Sequence, residues 1–120
     1  TDGGSSYDAG ASDYQYGYHN VTASTIFYTS SSGFSGIRLC SVSNTSTDHI
    51  SGQFILNYPQ STSLYTTCQW LLTSITSGTV PYWYSGFGTR LAAQDTDAVR
   101  FLFSTGNIAA GTITLYGLRA

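Results

Sequence analysis

Apolar and polar positions alternate along much of the chain with a period of two, the repeat that sends successive side chains to opposite faces of a strand. Tyr14, Tyr16 and Tyr18 share a face in YQYGYH, and a β-branched and aromatic run follows from Ser24 to Tyr28. After the loop TSSSGFSG, Ile37 to Val42 sets Ile37, Leu39 and Ser41 against Arg38, Cys40 and Val42, which predicts a third strand. Gly52 to Tyr58 stops at Pro59, which lacks the N–H a central ladder needs, and Tyr65 to Thr73 follows as a long apolar strand with Trp70 in the core. The PQSTS connection makes these two an antiparallel hairpin. Between Ile75 and Arg90, Gly78, Pro81, Gly86 and Gly88 surround Tyr82, Trp83, Tyr84 and Phe87, predicting one short strand flanked by turns. Ala98 to Phe103 and Thr112 to Leu118, joined by STGNIAAG, supply the last two strands. The opening TDGGSSYDAGASDY is turn chemistry throughout and reads as a hairpin tip.

Seven to nine short strands at intervals of about 8 to 12 residues, separated by Gly, Ser and Asn turns, predict an all-β fold, an antiparallel β-sandwich of jelly-roll type. No internal repeat and no linker divides residues 1–120, so a single domain is expected. A chain that starts at Thr1 without an initiator Met is expected to be a mature or excised piece, the C-terminal part of something longer.

Composition strengthens the β reading. The chain has 35 Ser and Thr, 13 Gly and 10 Tyr but no Lys, Glu or Met, so strong helix formers are scarce. Only 8% of residues are charged, against a usual share of about 25%. A net charge of −2 with no basic cluster argues against nucleic acid, which demands Lys and Arg gathered on one face. No apolar run approaches the roughly 20 residues that span a bilayer, so no membrane insertion is expected. Weak repulsion between surfaces rich in Ser, Thr and Tyr suits close packing between copies.

The chemistry-bearing residues are sparse. Cys40 and Cys68 lie in apolar runs and read first as small hydrophobes, with a disulfide as the lesser alternative. His19 and His49 are isolated, so neither metal nor cofactor is expected. Asp95 and Asp97 are the only close carboxylate pair outside the N-terminal turns; they read as a loop capping backbone or pairing with Arg90 or Arg100, ahead of an acid–base pair. No G-x-S-x-G elbow occurs, so catalytic residues are expected to be none. Tyr82, Trp83 and Tyr84 are the candidate ligand-binding or interface residues. Alternation sets Trp83 opposite Tyr82 and Tyr84, and core packing, a subunit contact and ring stacking on a sugar all remain open for them.

The final quarter, DTDAVRFLFSTGNIAAGTITLYGLRA, resembles the C-terminus of small tailed-bacteriophage virion proteins that end in a strand, S-x-G-N-I, a small-residue turn and G-x-x-x-L-Y-G. The match runs through Ala98, Val99, Arg100, Phe101, Phe103, Ser104, Gly106, Asn107, Ile108, Gly111, Leu115, Tyr116 and Gly117. SGQFILNYPQSTSLYTTCQW is similar to that family's central hairpin, and TDGGSSYDAGASDYQY to its first hairpin without the preceding strand. The resemblance implies a non-enzymatic structural protein of the virion, a tail-fibre tip or capsid decoration. Its implied partners are copies of itself, as a homotrimer, other virion proteins, and a host-surface glycan in host attachment. The alternative is a carbohydrate-binding β-sandwich that uses exposed aromatic side chains.

Overall fold

A computed structural model describes residues 7–77 and 79–117. Its strands are β1 (Tyr14–Val21), β2 (Ile26–Phe34), β3 (His49–Asn57), β4 (Thr67–Thr76) and β5 (Val80–Arg90). They form one five-stranded antiparallel sheet in the order β2-β1-β5-β4-β3, so the strand that comes last in sequence lies in the middle. The fold is all-β, and no helix occurs among the described residues.

The predicted hairpin around Pro59 is present as β3 and β4. β5 departs from expectation, running through Pro81, Gly86 and Gly88 as one strand of 11 residues. Proline is tolerated because β1 pairs β5 only from Trp83 to Arg90, so at Pro81 the β1 side of β5 has no ladder to lose. Glycine is required because a Cβ at Gly86 would lie 2.4 Å from the Trp70 ring, and one at Gly88 would lie 2.8 Å from Ile37 Cδ1. These residues look like turn formers in sequence, yet they make room for neighbours.

The expected seven to nine strands and jelly-roll sandwich are not formed; the described residues make five strands and one sheet. Residues 37–42 form no strand. They belong instead to a crossover joining β2 to β3, the two sheet edges, and this crossover lies across one face of the sheet. Ile37 and Leu39 pack into the core cluster, so the alternation is genuine. Side chains replace the ladder: Trp70 Nε1 donates to Leu39 O at 2.9 Å, while Ser74 Oγ and Tyr84 Oη donate to Ser41 O at 3.4 and 3.3 Å. Residues 98–103 and 112–117 are likewise outside any strand, although Phe101 packs on Phe54 of β3. Most of the opening turn segment falls on residues 1–6, outside the described residues, and 7–13 form coil and a turn that enter β1 directly.

The register assigns the two faces. Tyr16, Gly88, Cys68 and Leu56 line up across β1, β5, β4 and β3, as do Tyr18, Gly86, Trp70 and Phe54. This is the face the crossover covers. Tyr16, Cys68, Trp70 and Tyr84 are its buried apolar side chains among the described residues. Cys40 and Cys68 are both free thiols, and burial pushes the Cys68 thiol up to about 12, which keeps it protonated at neutral pH.

One end of the core is tied by Arg90. Its buried guanidinium forms an ion pair with the Asp8 carboxylate and donates to Gln94 O, Asp95 O, Thr96 Oγ1 and Gln94 Oε1. The Asp95–Asp97 loop therefore supplies Arg90 with the Asp95 carbonyl and the Thr96 hydroxyl, and Asp8 supplies a carboxylate.

Candidate functional site

The opposite face of the sheet is uncovered. Along β5 it presents Trp83, Ser85, Phe87 and Thr89, the alternate set to buried Tyr84. The register adds His19 of β1 beside Ser85, Tyr28 of β2 beside His19, and Leu71 of β4 beside Ser85. Phe87 is 67% exposed and its ring lies over Gly17, where a Cβ would meet it at 3.3 Å. Gly17 is therefore buried although it faces the open side.

An aromatic group forms at the centre of this face. The rings of His19 and Trp83 meet edge to face with centroids 5.3 Å apart, and His19 lies 6.2 Å from Tyr28. Two shallow, solvent-open hollows adjoin it. One, of about 590 Å³, is lined by Tyr65, Thr67, Gln69, Phe87 and Thr89; the other, of about 190 Å³, by Gln53, Ile55, Gln69, Leu71 and Ser85. Rings and aliphatic side chains alternate here with amide and hydroxyl groups.

The face carries no Asp, Glu, Lys or Arg side chain. Arg90 is the one Asp, Arg, Lys or Glu residue in the five strands, and it faces the covered side with its register partner Tyr14. Such a surface loses little electrostatic solvation when it is covered by another neutral surface.

The structure divides the three ring residues singled out from sequence. Tyr84 is buried on the covered side, with its hydroxyl on Ser41 O and its ring stacked at 5.9 Å on Tyr82. Burial also raises the Tyr84 phenol above its ordinary pKa. Trp83 alone reaches the open face. Its neighbours His19 and Tyr28 come from other strands, and the only sequence signal for them is a shared parity once the hairpin register is known. His49 is exposed, with Nδ1 3.2 Å from Thr47 O. Among the described residues no group of three His, Cys, Asp or Glu side chains is arranged to hold a metal ion.

In comparisons with known proteins, no family model matches this chain, and neither a curated protein nor a solved structure matches it.

Proposed function

We propose that this chain is a non-enzymatic structural component of a bacteriophage virion, a surface-exposed fibre-tip or capsid-decoration domain that assembles with copies of itself, as a trimer. The observation that carries the reading is the amount of apolar surface left over from a thin core. Ile26, Phe27, Tyr28, Ile55, Trp83 and Phe87 are exposed on the strands, and Leu102, Ile108, Ile113, Leu115 and Tyr116 on the tail. An uncharged face that leaves Ile55, Trp83 and Phe87 exposed suits an obligate interface. The resemblance of residues 98–117 to phage virion proteins supplies the setting, and strands completed between copies would restore the larger β architecture expected from the sequence.

Light scattering over a wide concentration range tests the reading. A trimer mass that persists on dilution is expected, and a monomer at every concentration overturns the assembly role.

The aromatic group on the open face favours a second reading, carbohydrate binding. Trp83 and Tyr28 offer flat rings, with Gln69 and Ser85 nearby on the same face to hydrogen-bond sugar hydroxyls. On this reading Trp83→Ala weakens binding to a neutral glycan by at least about tenfold while leaving the fold intact, since the ring is already 39% exposed. Titration of both proteins with glycans, followed by Trp fluorescence and NMR, measures it; equal affinity of the two removes the reading.

A further inference from the structure

Two parts of this chain lack complementary things. β2 is a sheet edge with no strand beside it, and every residue in it except Ser31 is exposed. Natural edges are guarded by charge, proline or a covering segment. β2, with the sequence IFYTSSSGF, has no charged residue and no Pro, and its irregularity is confined to Gly33 (φ 79°), near its end. Residues 112–117 are the converse, a strand sequence without a sheet. TITLYG alternates Ile113 and Leu115 against Thr114 and Tyr116, and residues 99–117 are exposed throughout.

We infer that residues 112–117 of one copy add as a strand to the β2 edge of a second copy. This rests on the self-assembly proposed above and names the surface that performs it. The other edge, β3, is less free. The chain's own tail packs against this strand and the turn after it, with the Phe101 ring edge-on to Phe54 at 5.4 Å and Thr96 N donating to Pro59 O at 2.6 Å. Residues 101–117 contain no charged side chain, so no like charges oppose the pairing. Ile26, Phe27, Tyr28 and Phe34 of the edge and Ile113, Leu115 and Tyr116 of the tail are all exposed in the single copy, so the pairing covers apolar side chains on both partners. Main-chain hydrogen bonds give such an added strand its affinity, and alternate side chains give its register.

The test uses the full chain and its Ile113→Asp/Leu115→Asp variant. Both positions are exposed, at 71% and 93%, so the variant keeps the monomer fold, which circular dichroism verifies. Light scattering is expected to show the variant associating at least about 100-fold more weakly, because assembly would bury its two carboxylates. Hydrogen exchange is expected to show 26–34 and 112–117 gaining protection together as concentration rises, and both losing it in the variant. If the full chain and variant associate equally well, this pairing is wrong while self-assembly stands. Protection of both segments that is unchanged on dilution to monomer means the tail closes its own sheet, which overturns the inference. A full chain monomeric at all concentrations, with both segments unprotected, overturns the inference and the assembly role alike.

Discussion

Trp70→Ala is expected to destabilise the fold by about 3–5 kcal/mol, read as a shift in the urea midpoint followed by circular dichroism. The ring is 3% exposed and rests on Gly86, whose missing side chain makes its bed. Its removal leaves a void lined by Tyr18, Phe54 and neighbouring backbone, and few buried side chains surround it to collapse inward. The indole also performs a second task. Nε1 holds Leu39 O, so truncation frees the carbonyl that keeps the crossover on the sheet. Trp83 sits in the next strand at exposed height, and its replacement by Ala is expected to cost much less, which makes it the internal control. Equal losses for the two tryptophans would show that the covered face has been wrongly assigned.

Arg90→Ala is expected to cost about 3–5 kcal/mol by the same measurement, because truncation strands the groups arranged around the guanidinium. Asp8 loses its cation, and the carbonyls of Gln94 and Asp95 lose donors. Lysine is a poor substitute, since one ammonium cannot reproduce a fork spread over Asp8, Gln94 and Thr96. The site is not ideally satisfied even in the native protein, where Arg90 Nε is buried without a partner. Removing both charges with Asp8→Asn/Arg90→Met is therefore expected to cost less than the two single changes added together. Strict additivity in that cycle would remove the ion pair as the explanation.

The all-β class and the β3–β4 hairpin were legible because period-two alternation and turn residues report directly on local backbone. The parity of Tyr84 and Trp83 was legible for the same reason. The failures share a cause, which is that alternation tells which side of a segment is apolar but not whether a ladder partner is available. Ile37 and Leu39 alternate like a strand and pack like one, yet the hydrogen bonds at Leu39 and Ser41 come from side chains of Trp70, Ser74 and Tyr84. Ile113 and Leu115 alternate as well, and no strand among the described residues stands beside them. Gly86 and Gly88 were misread because a glycine that admits a neighbouring ring is indistinguishable in sequence from one that turns the chain. For the open face, alternation sets Trp83 opposite Tyr84 without telling which of the two is exposed, and its grouping with His19 and Tyr28 depends on strand order, which no local pattern encodes.

That strand order also governs how the chain is built. The β1–β2 hairpin can close early, but β1 has its second neighbour only in β5, which ends at Arg90. A chain growing from its N-terminus therefore carries a detached hairpin from Phe34 until β5 has emerged, and one step then joins it to the β3–β4–β5 meander. The last strand to be synthesised is the keystone, and a nascent chain halted before residue 80 has no sheet to complete.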